Sequence, residues 1–163
     1  MINHEGTSAL TDTPVKFSNG NGHYSILVVD DEPNVRNLIK EFLEAEGYQV
    51  IEASSGSEAA ASLSASPPHL IISDYAMPGM NGLELLGLAL EKAPDAARIL
   101  CTGYADVQIA ISAINRGAVS RILTKPFDPV VLLDSVRDCV EQVRLRTENV
   151  ELFRITRTQN EKL

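Results

Sequence analysis

Five side chains with the chemistry of a phosphoryl-transfer site follow short apolar runs in this sequence. They are Asp30, Asp31, Asp74, Thr102 and Lys125. Three clustered carboxylates repel one another, and Mg²⁺ relieves that repulsion because it is a hard cation that accepts carboxylates and keeps positions open for water and phosphate. The Lys125 ammonium and the Thr102 hydroxyl would donate hydrogen bonds to phosphoryl oxygens. Asp74, in the middle of the set, would then be the nucleophile that forms an aspartyl phosphate.

Taken singly, each of these residues has an ordinary structural explanation. An Asp after a strand is commonly a cap or a turn residue, and a pair of carboxylates is favoured at a helix N-terminus. Thr102 alone would be a turn residue, and Lys125 alone would be a solvated charge. Their joint occurrence, each where an apolar run ends, favours a shared functional site.

The elements that would position these residues alternate regularly along the chain. Short apolar runs bounded by turn residues predict buried strands, here over 26–29, 48–51, 70–74, 98–102 and 122–124. Apolar residues at helical spacing predict helices over 33–46, 57–63, 83–93, 107–116 and 130–143. This alternation predicts an α/β fold with a parallel sheet covered on both faces. Polar residues at the carboxyl ends of parallel strands meet at one edge of such a sheet.

The fourth predicted helix has more apolar residues than one buried stripe needs. Its main stripe consists of Val107, Ala110, Ile111 and Ile114. Ile109 and Ala113 lie off that stripe. They are candidates for a partner or dimer surface, and partial burial is the alternative.

Composition limits the classes of function. The chain has 163 residues, a formal net charge of -8 and a pI of about 4.8, which disfavours a nucleic-acid partner. No apolar run approaches the ~18 residues of a membrane span, and the N-terminus lacks a secretory signal pattern. Residues 1–24 have the composition of a disordered arm. Cys101 and Cys139 show no metal-ligand spacing, and we expect both to be buried and reduced in the cytoplasm.

Residues 144–163 have a helical composition but only a sparse set of apolar side chains. Two interpretations remain open. One is a frayed continuation of the fifth helix. The other is a helical stalk that pairs with a second chain, or a truncated linker to an output domain. The heptad defined by Val143 and Val150 is imperfect, because Thr147 and Arg154 fall on the same seam.

Four motifs together resemble the receiver domain of bacterial two-component response regulators. They are Ile26–Pro33, Asp74–Gly82, Thr102–Tyr104 and Thr124–Phe127, in this order and spacing. The resemblance covers residues 25–143. It implies a flavodoxin-like (βα)5 doubly wound fold with the strand order 2-1-3-4-5.

The resemblance also implies a role for each matching residue. Asp74 matches the phosphoacceptor, and Mg²⁺ or Mn²⁺ would be held by Asp30, Asp31, Asp74 and the backbone carbonyl of Ala76. Asp31 would bind the metal directly and Asp30 mainly through water. Thr102 matches the switch hydroxyl and Lys125 the phosphoryl-binding lysine, whose bond to Pro126 is usually cis in this family.

One residue departs from the common family pattern. Many receivers have Tyr or Phe three residues before the matching lysine, and this ring moves inward together with the switch hydroxyl. This chain has Ile122 at that position. Either a smaller packing shift or another element would then transmit the signal. Tyr104, two residues after Thr102, is a candidate for shielding the phosphoryl group and tuning its hydrolysis.

The resemblance implies a switch and not an enzyme that acts on another substrate. A histidine kinase or phosphotransfer protein would phosphorylate Asp74, and the face formed by the fourth helix, fifth strand and fifth helix would control a partner, a homodimer or a missing output domain. A receiver that docks or dimerises without phosphorylation is the first alternative. An aspartate-nucleophile phosphohydrolase would place an Asp-x-Asp arrangement after the first strand. A flavodoxin-type FMN carrier would need a phosphate loop there, and Asp30 and Asp31 would repel the phosphate.

Overall fold

The computed structural model describes residues 24–161 of the chain. Five strands alternate with five helices in it. The strands are β1 (Ser25–Val29), β2 (Gln49–Ala53), β3 (Leu70–Asp74), β4 (Ala97–Thr102) and β5 (Arg121–Thr124). The helices are α1 (Pro33–Ala45), α2 (Gly56–Ala65), α3 (Gly82–Lys92), α4 (Val107–Asn115) and α5 (Pro129–Glu161), and a 3₁₀ turn (Tyr104–Asp106) precedes α4.

The strands form one parallel sheet in the order 2-1-3-4-5, which confirms the flavodoxin-like fold. β3 lies at the centre of the sheet, between β1 and β4, and all five of its residues are buried. This explains its nearly continuous apolar sequence, because a central parallel strand is covered on both faces. Asp74 is the last residue of this strand.

Helices cover the sheet on both faces, as predicted. Alternate residues of β1 point to opposite sides. Ile26 and Val28 pack in a core with α1 and α5, whereas Leu27 and Val29 pack in a core with α2, α3 and α4. Period-two alternation of apolar residues is therefore compatible with burial of every side chain.

Local sequence signals explain most of the element boundaries. Pro33 occupies the first turn of α1, and Gly47 follows the C-cap of that helix with a φ of 95° that favours glycine. Ser55 and Asn81 cap α2 and α3 by accepting hydrogen bonds from the backbone N–H groups three residues later. β2 is shifted from the predicted 48–51 to Gln49–Ala53, and the backbone N–H of Tyr48 donates to the Leu43 carbonyl at the end of α1.

The structure corrects the predicted orientation of α4. Ala113, a candidate for a partner surface with partial burial as the alternative, is buried together with Ala110. Ile111 and Ile114, expected in the buried stripe, are 41% and 39% exposed, and Ile109 is 47% exposed. The two alanines face the sheet because their small side chains let the helix approach it closely. The larger isoleucines therefore lie toward solvent.

Both ends of the described chain add to the sequence interpretation. The arm predicted over 1–24 lies outside the described residues except for Tyr24, which contacts the ring of His69 edge-on at 5.2 Å. At the other end, α5 continues without a break to Glu161, and Val143 is its last buried residue. Cys101 and Cys139 are free and buried, as expected. Within 24–161, no helix is long and apolar enough to cross a membrane.

Candidate metal and phosphoryl site

The five side chains chosen from the sequence converge at the carboxyl edge of the sheet. Asp30 follows β1 directly, and Asp74 and Thr102 are the last residues of β3 and β4. Lys125 follows β5, and its peptide bond to Pro126 is cis. The parallel order explains the convergence, because β1, β3, β4 and β5 are neighbours and all end at this edge.

Lys125 joins two of the carboxylates. Its Nζ atom lies 3.0 Å from Oδ1 of Asp74 and 3.2 Å from Oδ2 of Asp30. The second oxygen of Asp30 accepts a hydrogen bond of 2.9 Å from the backbone N–H of Glu32. Asp30 and Asp74 are buried, so these contacts provide the pairing that buried charges require.

Three carboxylates have the geometry of a cation site. Asp30, Asp31 and Asp74 each offer an oxygen, and these oxygens lie within 4.8 Å of one another. Asp31 is exposed on the solvent side of the cluster, whereas the other two are buried. One lysine does not neutralise three carboxylates. The donor set therefore fits a hard divalent cation such as Mg²⁺, which prefers carboxylate oxygens and retains water ligands.

The site has opposing effects on the pKa of Asp74. Burial raises the pKa of this carboxyl group, and the negative charges of Asp30 and Asp31 act in the same direction. The Lys125 ammonium lowers it by hydrogen bonding and by charge, but the net direction is upward. Burial also opposes the charge on Lys125, yet contact with Asp74 and Asp30 raises the pKa of its ammonium, which stays protonated.

The residues considered for switching differ in burial. Thr102 is buried, and its hydroxyl donates a hydrogen bond of 3.3 Å to the carbonyl oxygen of Gly103. Tyr104 is 82% exposed, so its ring does not pack over the acidic cluster in this conformation. Ile122 is half-buried and packs against the core on the α2–α4 side of the sheet.

The loop between β3 and α3 positions the exposed residue Ala76, whose carbonyl is the fourth candidate metal ligand. The backbone N–H of Tyr75 donates to the carbonyl of Cys101 at 2.8 Å. The Tyr75 carbonyl accepts a hydrogen bond of 2.9 Å from the N–H of Gly82. These two bonds tie the start of the loop to β4 and to α3.

Arg36 is a supporting residue that the sequence interpretation missed. Its Nη1 atom donates a hydrogen bond of 2.7 Å to the backbone carbonyl of Asp30. Its Nε atom lies 3.3 Å from Glu52, which also contacts Lys40 at 3.2 Å. Arg36 thus ties α1 to the end of β1 and to β2. A basic residue on α1 is a weak sequence signal, because most such side chains are solvated.

Cys101 lies beneath the site and takes no part in its chemistry. The thiol is fully buried, and burial raises its pKa to about 12. A thiol that stays protonated is a poor nucleophile and a poor metal ligand. The chemistry of this edge therefore belongs to the oxygen ligands and to Lys125.

Comparison with known protein families decides the identity of this arrangement. The family described as response regulator receiver domain matches residues 26–137. This chain belongs to the response regulator receiver domain family. A relative with 38% identity over 139 residues is the C4-dicarboxylate transport transcriptional regulatory protein DctD of Rhizobium meliloti. The nitrogen assimilation regulatory protein NtrX of Azorhizobium caulinodans is 35% identical over 135 residues.

These relatives are much longer than the receiver domain that they share with this chain. The match covers 85% of this chain but 30% of DctD, and 82% of this chain but 30% of NtrX. The chain therefore spans about a third of the length of the curated relatives described here. The family match ends at residue 137, so the whole α5 extension, residues 144–161, lies outside it.

Solved structures show the same receiver fold. One titled adenylate cyclase, from Rhodopirellula baltica, has a TM-score of 0.77 at 32% identity, with 80% of this chain and 97% of that chain covered. A CheY-like response regulator receiver domain protein from Methanospirillum hungatei has a TM-score of 0.71 at 29% identity, with 76% and 98% covered. Both neighbouring chains are covered almost completely, so the likeness extends over a whole receiver fold.

Proposed function

We propose that this receiver accepts a phosphoryl group on Asp74 from the phosphohistidine of a histidine kinase or phosphotransfer protein. An Asp74 carboxylate oxygen attacks phosphorus, a P–O bond forms, and the P–N bond to the histidine ring breaks. The observation that supports this role is the contact of Lys125 with Asp74 at the edge of the sheet. Lys125 is placed to bind a phosphoryl oxygen as its contact with the carboxylate is lost.

A divalent cation completes the proposed site. Asp30, Asp31, Asp74 and the carbonyl of Ala76 would hold Mg²⁺ or Mn²⁺, and the three clustered carboxylates support this set. When bound, the ion neutralises part of the negative charge shared by the carboxylates and the phosphoryl group. The protein then catalyses its own phosphorylation and dephosphorylation and acts on no other substrate.

The proposed output is a change in the face formed by α4, β5 and α5. Thr102 ends β4 just before the turn that leads into α4, so movement of its hydroxyl toward a phosphoryl oxygen would pull on Gly103 and the start of α4. The half-exposed Ile109, Ile111 and Ile114 support α4 as the contact surface. Because Ile122 replaces the usual aromatic ring, we place the moving contact in the turn before α4.

Tyr104 would tune phosphoryl lifetime only by moving from its exposed position. If it shields the phosphoryl group, Tyr104→Ala changes the dephosphorylation rate of the purified phosphoprotein. An unchanged rate would remove Tyr104 from the site. The high exposure of its ring equally suits contact with a partner.

Two partner arrangements follow from the α5 extension. It would connect the receiver to an output domain like those that make the relatives longer, or it would pair with a second copy of the chain. Either arrangement suits a protein of the bacterial cytoplasm, where the phosphoryl donor is found. A receiver that docks without phosphorylation is the second candidate, favoured only by the apolar exposure of α4.

The decisive experiment measures adduct formation. The protein is incubated with Mg²⁺ and acetyl phosphate, and the mass increase of one phosphoryl group is followed, with beryllofluoride binding as a second assay. We expect both signals in the wild type and in Asp95→Asn, an exposed carboxylate outside the site, and neither in Asp74→Asn. Absence of an adduct in the wild type contradicts the proposed function.

A further inference from the structure

Gly82 lies at the point where α3 approaches the phosphoacceptor most closely. It is the first residue of α3 and is buried. A Cβ atom at this position would overlap the backbone carbonyl oxygen of Asp74. The same atom would lie 2.8 Å from Cδ1 of Leu100 in β4, closer than real Cβ contacts.

Position 82 requires glycine because a side chain has no room there, and not because of its backbone dihedral angles. The glycines with positive φ among the described residues are Gly47, Gly79 and Gly117, so Gly82 has a backbone that any L-residue adopts. Gly79 shows the opposite case, with a φ of 76° and nothing within 4 Å of an added Cβ. Gly82 is therefore needed for the contact between α3 and the end of β3.

This contact positions the backbone on both sides of the phosphoacceptor. The Asp74 carbonyl accepts a hydrogen bond of 3.0 Å from the hydroxyl of Ser73, and Gly82 packs against the same carbonyl. The N–H of Gly82 also donates to the Tyr75 carbonyl at 2.9 Å. A side chain at position 82 would push on this backbone.

α3 has little freedom to absorb the displacement. Leu85 and Leu86, one turn further along, are fully buried in the core on the α2–α4 side. Asn81 caps the helix by accepting from the N–H of Glu84 at 2.9 Å. Because the two buried leucines resist movement of α3, part of the displacement would fall on the end of β3 and on residues 75–81.

We propose that Gly82 is a positioning residue for the phosphoacceptor. It holds the Asp74 carboxylate and the Ala76 carbonyl in register with Asp30, Asp31 and Lys125. This inference rests on the proposed function. Small displacements of a reacting group reduce reaction rates strongly. We therefore expect a side chain at position 82 to slow phosphorylation even where the protein remains folded.

The test compares Gly82→Ala with Gly87→Ala. Both glycines lie in α3, but an added Cβ at Gly87 meets nothing within 4 Å. We expect Gly87→Ala to match the wild type in phosphorylation rate and beryllofluoride affinity. We expect Gly82→Ala to lower both at least tenfold, measured at a temperature where circular dichroism shows a folded protein.

A destabilised control separates positioning from simple loss of stability. Leu100→Val opens a gap in the same fully buried core but places no atom against the Asp74 backbone. We expect Leu100→Val to lower Tm while phosphorylation rate and beryllofluoride affinity stay near the wild-type values, and Gly82→Ala to lower both when the two variants are compared at the same distance below their own Tm. Equal losses in the two variants would overturn the proposal, as would an unimpaired Gly82→Ala. A Gly82→Ala protein that does not fold would also overturn it, because glycine would then be needed for folding and not for positioning.

The two proposals fail in different ways. If neither the wild type nor Gly87→Ala forms an adduct, the proposed function of Asp74 is contradicted. The role of Gly82 is then judged from Mg²⁺ affinity, measured by titration without any phosphoryl donor. We expect weaker Mg²⁺ binding in Gly82→Ala than in Gly87→Ala, and equal affinities overturn the positioning role.

Discussion

The Asp74 carboxylate is buried beside two further carboxylates, and this crowding destabilises its charged form. Burial raises its pKa first, and the charges of Asp30 and Asp31 add to the effect. The folded state then binds a proton at Asp74 more tightly than the unfolded state. Stability from this group is present below its unfolded pKa and is lost as pH rises through the folded pKa.

Replacement of Asp74 should therefore stabilise the metal-free protein at neutral pH. In EDTA at pH 7, we expect Asp74→Asn to increase the free energy of unfolding by about 1 kcal/mol, because the neutral amide avoids the charge penalty. The difference shrinks as pH falls toward 4. Urea unfolding at a series of pH values measures it, with Asp95→Asn as the control. A destabilised Asp74→Asn at pH 7 would show that the Lys125 contact outweighs burial.

Arg36 offers a second test at the residue scale. Its guanidinium is mostly buried and donates to the Asp30 carbonyl, whereas the more exposed Lys40 forms an ion pair with their shared partner Glu52. We expect Arg36→Gln to destabilise the protein by about 1–3 kcal/mol, because a charged hydrogen bond to buried backbone is lost. Lys40→Gln should cost less than about 1 kcal/mol. Equal losses in urea unfolding would contradict the anchoring role.

At the scale of elements, α4 differs most from its predicted packing. It presents Ala110 and Ala113 to the sheet and three isoleucines toward solvent. A helix that packs through alanines loses less apolar contact when it shifts than a helix that packs through isoleucines. This packing suits an element whose position changes with phosphorylation.

The packing of α4 is tested by size changes on its two sides. We expect Ala113→Leu to destabilise the protein by about 1–3 kcal/mol, because the larger side chain overpacks the interface with the sheet. Ile111→Ala should cost less than about 1 kcal/mol, because this side chain of the predicted stripe is 41% exposed. Thermal unfolding of both variants measures the difference. A larger loss in Ile111→Ala than in Ala113→Leu would restore the stripe predicted from sequence.

The sequence predicted the sheet and its functional edge more reliably than the faces of the helices. β3 is a continuous apolar run before a single carboxylate, so its burial and its end were both evident. α4 contains alanines and isoleucines on every side, and hydrophobicity alone does not show which face packs. Space decided it. Gly82 and Arg36 were missed for a related reason, because their roles depend on contacts with backbone that no spacing in the chain displays.

At the scale of the whole molecule, the receiver core ends before α5 does. Val143 is the last buried residue of α5, and the helix continues for about 27 Å at 1.5 Å per residue. Ion pairs along the extension include Arg144 with Glu148 at 2.9 Å and Arg154 with Glu151 at 2.6 Å. Pairs at this spacing support a helix, but only modestly here because their side chains are exposed to solvent.

Truncation after Arg144 should leave the receiver core intact. We expect a Tm within about 3 °C of the full chain, because the removed side chains bury little apolar surface. Phosphorylation of Asp74 should be unchanged. Light scattering on both proteins tests the extension directly: a dimer that becomes a monomer on truncation supports the stalk. Monomers in both cases support the linker or a frayed helix.

The unbroken course of α5 also makes the angular position of anything fused to it a function of linker length. Each residue of an α-helix turns the chain by about 100°, so deleting one residue between 145 and 160 rotates a following domain by that angle about the helix axis. Removing seven residues restores the original direction to within about 20°. A series of fusions to a reporter enzyme would therefore show activity that rises and falls with the helical period if rotation matters, and activity that is insensitive to length if the extension is only a tether.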